Sequence, residues 1–267
     1  MNGANLVRFW PLIQSVIREF WEIIEPSIEE AAIRHDIPVE LYYYAELGLE
    51  SFSIEGFQKR DPFSNPQLFE KLFVTLNVKG WILPQLDGSY QVTQRAREAA
   101  RRIIRAGDEE LLPFDYATSI DLHRLAVLLR QIVLASTVAP QPPEKWAIVK
   151  RFHSVDKDSP LVVQVREYLM DLFAYRDDSH ISASHPHFGK AGIIWNVLDT
   201  LWNQDNGKAG QLAEIHSFRG YDVNDYEVAL QAAVQIGWAE ETEVPSAYRI
   251  SPQGRKIRAE AERLTDE

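Results

Sequence analysis

The sequence predicts a mainly α fold: two winged helix-turn-helix domains joined by a helical connector, with N-terminal helices before them. Three observations support this prediction. A length of 267 residues is typical of about two domains. Hydrophobic residues make up 45% and charged residues 25%, which is enough apolar side chain to form buried cores. The third observation is an internal repeat, in which helical periodicity is followed each time by Gly-Trp and a short hairpin pattern.

Composition excludes several function classes. The chain has no cysteine, so disulfides, thiolate nucleophiles and cysteine-ligated metals are excluded. A net charge of −11 gives no overall attraction to nucleic acid or anionic lipid, although a local basic face is compatible with it. The sequence has no long apolar run and no secretory signal pattern, so we expect a cytoplasmic protein without membrane contact.

The repeat defines the domain boundaries. Its shared positions are Phe69, Phe73, Leu76, Gly80, Trp81, Tyr90, Thr93 and Arg97 in the first copy, and Tyr226, Leu230, Ala233, Gly237, Trp238, Tyr248, Ser251 and Arg255 in the second. We therefore expect N-terminal helices in 1–36, the first winged helix-turn-helix in 37–110, a helical connector in 111–188 and the second winged helix-turn-helix in 189–267.

Each element of the first copy has a local signal. Helical patterns cover 41–49 and 54–59, and Ser53 is a good N-cap for the second of them. Asn65 and Pro66 form a cap followed by proline at the first helical position of the third helix. Asp87-Gly88 lies between two short apolar stretches and indicates a hairpin, the wing.

The second copy and the flanking segments follow similar signals. Helices are predicted over 193–202 and 208–217, Asp222 caps a third helix, and Ser251-Pro252 opens the last one after a hairpin. Outside the repeats, 6–34 is helical with breaks at Pro11 and Pro26. Helices are also expected over 120–135 and 161–175, separated by a proline-rich linker at 138–143.

The residues of both copies resemble MarR-like winged-helix proteins. The resemblance includes Arg219-Gly220, Trp238 and the stretch from Ser251 to Arg255 with Arg258 and Glu262. It is most specific to a set of bacterial tandem helix-turn-helix proteins with an Arg-Asp-Asp-x-His run before the second repeat, which is 176–180 here. The resemblance implies a DNA-binding transcriptional regulator.

A winged helix that reads DNA needs polar or basic side chains on its third helix and basic groups nearby. The candidate contacts with double-stranded DNA are Lys59, Arg60, Gln67, Lys71, Thr75, Arg95, Arg97, Arg219 and Asn224. The wings oppose this reading, because the first contains one acid and no base, and the second contains three glutamates. The first copy is the better candidate. The alternative is a winged-helix scaffold or protein–protein interaction module that does not bind DNA.

A basic stretch follows the first wing: Arg95, Arg97, Arg101, Arg102 and Arg105. One interpretation is a surface that tracks phosphates. The other is a solvated helix face that pairs with the acidic N-terminal helix, which carries Glu19, Glu22, Glu25, Glu29 and Glu30.

The densest polar cluster spans 176–187. Its candidate ligand-binding or metal-binding residues are Asp177, Asp178, His180, His185 and His187, whose carboxylates and imidazoles can coordinate a divalent cation. The alternative is a helix end whose Arg and Asp side chains anchor neighbouring helices, with the histidines in a hydrated loop. No nucleophile motif or glycine-rich phosphate loop occurs, so the sequence predicts neither an enzyme nor a cofactor.

Aromatic residues concentrate around the first copy and the N-terminal helices. Phe69 and Phe73 have the helical spacing of core residues. Tyr42, Tyr43 and Tyr44 cannot all point inward from one helix. The surplus of aromatic side chains indicates a shared interface, as in a homodimer, or a pocket for a small apolar or aromatic effector.

Overall fold

The computed structural model describes residues 9–41, 51–115, 119–151, 158–189 and 191–266, and the chain is mainly helical. The helix predicted at 41–49 and the three tyrosines within it lie outside these residues, apart from Leu41. Within the described ranges, no helix combines the length and the apolarity needed to cross a bilayer.

Eleven named helices and five short strands make up the described ranges. In chain order they are α1 (Trp10–Arg34), β1 (Ser51–Phe52), α2 (Ile54–Arg60), α3 (Pro66–Val78), β2 (Ile82–Pro84), β3 (Tyr90–Val92), α4 (Gln94–Leu111), α5 (Ser119–Val138), α6 (Ala147–Arg151), α7 (Leu161–Phe188), α8 (Gly192–Asn203), α9 (Ala209–Ile215), α10 (Val223–Gln235), β4 (Ala239–Glu241), β5 (Tyr248–Ile250) and α11 (Pro252–Asp266). Short 3-10 turns follow α4 and α9.

In the first copy, the predicted caps and hairpin are confirmed. The Ser53 hydroxyl accepts a hydrogen bond from the Gly56 amide at 2.9 Å, and the Asn65 side chain accepts one from the Gln67 amide at 3.0 Å. The strands form an antiparallel sheet in the order β1-β3-β2. Strand β1 was not predicted, because two residues are too few to show an alternating pattern.

The second copy begins with helix α8. The elements after it, α9, α10, β4, β5 and α11, follow in the same order as α2, α3, β2, β3 and α4 of the first copy. Asp222 and Asp225 form a capping box at the start of α10. Strands β4 and β5 pair antiparallel, and a single bridge between Gly207 and Tyr248 occupies the place that β1 has in the first copy.

Each copy also has a long helix before it that packs on its last helix. Helix α1 packs against α4, and α7 packs against α11 in the same way. The second half of the predicted connector is therefore the counterpart of the N-terminal helix, and the structural repeat is longer than the sequence repeat.

Two predicted helix boundaries are wrong. Helix α1 runs without a break through Pro26, because Pro26 and Glu22 both lie on its exposed side, where water can hydrate the carbonyl left without a donor. Helix α7 continues past Tyr175 to Phe188, because its polar residues are hydrogen-bonded to neighbouring elements. The segment from 176 to 187 is thus helical, and its histidines do not lie in a loop.

Three hydrophobic cores lie between these elements. The first joins α1 to α4 and contains the predicted core residues Phe69 and Phe73, which are both buried. The second lies within the second copy, and the third lies between α5, α6 and α7. Helix α7 contributes to all three, through Val162 in the first, Phe188 in the second and Leu169 in the third.

Candidate functional site

The outward face of α3 is where a winged helix would contact bases. Three of the predicted contacts, Gln67, Lys71 and Thr75, are exposed there. Two apolar side chains lie among them, since Val74 is 56% exposed and Val78 is 81% exposed. This face therefore combines side chains that can read base edges with an uncovered apolar strip.

The first wing, formed by β2, β3 and the turn between them, has no basic side chain. Leu83 is 50% exposed, and Leu86 at the tip is fully exposed. Asp87 accepts hydrogen bonds from the Ser89 amide at 2.9 Å and from the Ser89 hydroxyl at 2.7 Å, and these bonds lower the pKa of the Asp87 carboxyl. A charged carboxylate at this tip repels a phosphate backbone.

Two of the predicted phosphate contacts are held by carboxylates. Arg60 Nη2 lies 2.5 Å from Asp177 Oδ2, and Arg219 Nη1 lies 2.6 Å from Asp61 Oδ1. The Arg219 guanidinium also lies over the rings of Phe218 and Phe63. A phosphate would have to displace a carboxylate to reach either guanidinium.

The other predicted contacts are divided between exposed and packed positions. Lys59 and Asn224 are exposed. The Arg95 guanidinium lies 4.0 Å from the centre of the Trp81 ring and donates to the Lys79 carbonyl at 3.3 Å. Arg97 donates to the Val92 carbonyl at 3.1 Å. These two arginines fix the base of the first wing to α4.

The middle of α4 carries the strongest positive charge of the first copy. Arg101, Arg102 and Arg105 are exposed and, with Glu98, line an open groove of about 260 Å³. This exposure agrees with the interpretation of a solvated helix face, and the pairing of these arginines with the α1 glutamates stays a prediction. Helices α1 and α4 meet through Ile24 and Ile28, which pack against Gly107, and through a hydrogen bond from the Ser27 hydroxyl to the Glu110 carboxylate at 2.9 Å. The arginine groove, defined by these three arginines and Glu98, faces solvent.

The second copy presents acids where the first has bases. The exposed residues of α10 include Asn224, Glu227 and Val228. On its hairpin, Glu240 forms an ion pair with Arg249 at 3.0 Å, and Glu241 is exposed. We find no basic side chain on the outward face of α10 in this described part of the chain.

The two copies touch through the turns that precede their third helices. The Asn65 amide donates to the Arg219 carbonyl at 2.8 Å, and the Asn65 side chain donates to the Gly220 carbonyl at 3.1 Å. Asn196 of α8 donates to the Phe63 carbonyl at 2.9 Å. At Gly192, a Cβ would lie only 1.9 Å from the Pro62 carbonyl oxygen. We name these residues the inter-copy contact.

This contact brings together the N-terminal ends of α3 and α10. Arg219 lies three positions before the cap Asp222, a distance of at most about 11 Å along an extended chain. In a dimeric reader, the N-terminal ends of the recognition helices enter half-sites about 34 Å apart. The two copies therefore do not imitate the two readers of such a dimer.

The segment from 176 to 180 anchors helices, as the second interpretation of this cluster predicted. Arg176 lies 3.2 Å from both Glu262 and Asp266 of α11, and its guanidinium stacks over Trp10. The Asp178 carboxylate accepts hydrogen bonds from the Ala147 and Ile148 amides, both at 3.0–3.1 Å, and so caps α6.

The histidines of this segment do not form a metal site. His180 Nε2 accepts a hydrogen bond from the Trp195 indole at 3.2 Å, and burial lowers the pKa of the His180 imidazole, which favours the neutral form that can accept it. His185 and His187 are exposed on the next turns. Across the ranges that the structure describes, no three ligating side chains converge, so the metal prediction is wrong. The helix directs Asp177, Asp178 and His180 to three different neighbours.

A buried charged cluster was missed by sequence reasoning. Arg151 forms ion pairs with Glu167 at 3.1 Å and with Asp171 at 3.3 Å, and Arg166 lies 2.9 Å from Asp108. Four of these charged residues are buried between α4, α6 and α7, and Asp108 is partly buried. The signal in the sequence is weak: Arg166, Glu167 and Asp171 occur along α7 between apolar residues on every side, so no solvent face can hold them.

Asp108 gives this cluster a pH dependence. Burial raises the pKa of the Asp108 carboxyl to about 6, against the attraction of Arg166. The folded state therefore binds a proton more tightly than the unfolded state, so we expect this group's contribution to stability to be lost as pH rises from about 4 to about 6. Urea unfolding across this pH range measures it. An Asp108→Asn variant should show a flatter profile, and an unchanged profile would contradict the assignment.

Comparisons with protein-family models, curated proteins and solved structures found no match to this chain. What the chain does is therefore argued from the chemistry of these surfaces.

Proposed function

We propose that each copy is a winged helix-turn-helix of the MarR-like kind and that the chain binds double-stranded DNA through its first copy alone. The observation that carries this proposal is the arginine groove of α4, which belongs to the same copy whose third helix exposes Gln67, Lys71 and Thr75. The order of helices and hairpin, which occurs in both copies, supports the winged-helix assignment.

The groove favours phosphate as its ligand. A guanidinium presents planar donors that match phosphate oxygens, and Arg101, Arg102 and Arg105 lie within little more than one helical turn. Glu98 is the one acid that lines the groove. In a chain of net charge −11, this is a local exception to a general repulsion of polyanions.

The rest of the chain limits the expected affinity. The hairpin of the second copy is acidic, and the N-terminal ends of α3 and α10 lie too close together to enter two half-sites. Only α3 is therefore expected to contact bases. We therefore expect binding that depends mainly on phosphate contacts, has little sequence preference and weakens steeply with salt.

A mobility-shift titration with a duplex at about 50 mM and about 200 mM salt tests the proposal. We expect binding at the lower salt and a large loss at the higher one. Changing Arg101, Arg102 and Arg105 together to glutamine should weaken binding and reduce the salt slope by about 0.9 for each lost phosphate contact. The matched control is Arg249→Gln, since this exposed arginine is already paired with Glu240. Equal binding by the triple variant and the control would contradict the proposal.

The exposed apolar strip favours a second candidate, an interaction module that associates with a second copy of the chain. The strip consists of Val74, Val78, Leu83 and Leu86 on α3 and the first wing. Absence of a DNA shift at about 50 mM salt, with a dimer in sedimentation experiments, would favour this candidate. The homodimer and the small apolar or aromatic effector stay predictions.

A further inference from the structure

We infer that the second copy acts as an intramolecular cap that covers the N-terminal end of α3 and restrains DNA binding by the first copy. This inference rests on the proposed function. The occupant of the covered end is a segment of the same chain, the turn from Ser217 to Asp222.

The cap covers the end of α3 that a DNA-reading helix uses. Residues at the N-terminal end of a recognition helix contact base edges in the major groove. Here the Asn65 amide and side chain are both hydrogen-bonded to the turn of the second copy. Leu68, on the first turn of α3, packs over Gly220, where a Cβ would lie 3.0 Å from the Leu68 Cβ. DNA cannot occupy the same space.

The two cations beside that end are also held in ion pairs. Arg60 precedes α3 in the first copy and is paired with Asp177 of α7. Asp61 of the first copy is paired with Arg219 of the second, and the Asp61 carboxylate also accepts a hydrogen bond from Ser64 at 2.6 Å. Arg60 belongs to the first copy, so loss of its pair with Asp177 would expose its guanidinium to phosphates beside α3, whereas Arg219 stays with the second copy.

The inter-copy contact has the polar character of an interface that can open. It contains the ion pair between Arg219 and Asp61 and hydrogen bonds to backbone carbonyls, and its apolar part includes Phe63, whose ring lies 5.5 Å from that of Phe188. Polar interfaces between domains are typical of parts that move relative to one another. If DNA binds only the open form, the apparent affinity is reduced by the fraction of molecules that are open.

The substitution Gly192→Ala tests the cap without changing any charge. Its methyl group would meet the Pro62 carbonyl oxygen at 1.9 Å and the Pro62 carbonyl carbon at 2.7 Å, so the backbone at the inter-copy contact has to shift apart. We expect duplex affinity at about 50 mM salt to rise at least about fivefold, as the open fraction rises. The matched control is Gly210→Ala, because a Cβ at Gly210 meets no atom within 4 Å; its affinity should equal that of the wild type.

A second variant covers the case in which Gly192→Ala does not fold, as judged by its circular dichroism. Asp61→Asn releases Arg219, and its control Asp205→Asn removes one exposed carboxylate elsewhere. Tighter binding by Asp61→Asn than by Asp205→Asn supports the cap. Equal binding by wild type, Gly192→Ala and Asp61→Asn, with loss in the triple arginine variant, overturns the cap and leaves the proposed function standing. No binding by any variant overturns both.

Discussion

Replacing Arg151 with methionine is expected to lower the free energy of unfolding by about 3–5 kcal/mol, because it removes a buried cation from two carboxylates. Arg151 contacts Glu167 and Asp171, and Asp171 has an exposure of 0%. Without the guanidinium, the two carboxylates remain removed from water but no longer have the cation whose attraction offsets that desolvation. Urea unfolding followed by circular dichroism measures the change.

The control for this substitution is Arg263→Met on α11. Arg263 forms an ion pair with Glu260, but both side chains are about half exposed. Exposed pairs of this kind contribute at most about 1 kcal/mol. A similar loss of stability in the two variants would show that the charges around Arg151 are hydrated, against the burial described above.

The second large effect is expected for Phe73→Ala, which should lower the free energy of unfolding by about 3–5 kcal/mol. Phe73 has an exposure of 0%, and its ring centre lies 4.8 Å from that of Phe52 and 5.8 Å from that of Phe57. Removing it leaves a cavity that the surrounding rings fill only in part. The same urea titration measures the change.

Two companions make the Phe73 experiment specific. Val74→Ala, at the adjacent exposed position, should change stability by less than about 0.5 kcal/mol. Leu230→Ala, at the equivalent position of the second copy, should cost about 2–5 kcal/mol because Leu230 is also fully buried. A small effect at Leu230 would contradict the equivalence of the two copies.

The elements with local signals could be predicted from the sequence. Ser53, Asn65 and Asp222 cap helices because their side chains can reach amides two or three residues ahead, a rule that needs no tertiary information. The hairpin at Asp87-Gly88 follows in the same way, since Gly88 has a φ of 81° that glycine adopts without strain. The repeat strengthened each of these predictions.

Features that depend on distant partners could not be predicted. Whether Arg60 faces DNA or a carboxylate depends on Asp177, which is far away in sequence and reaches it only because α7 continues past Tyr175. The same holds for Arg219 and Asp61. A basic residue before a recognition helix has the same sequence pattern in either case, so the candidate site was the least predictable part of the chain.

The position of α7 in all three cores has a consequence for how the protein is divided. A domain boundary after Phe188 would assign α7 to the first part and expose the apolar side chains of the second copy that pack against it. Neither copy therefore has a complete core without α7. A cut of the chain at this point would therefore remove core contacts from both parts.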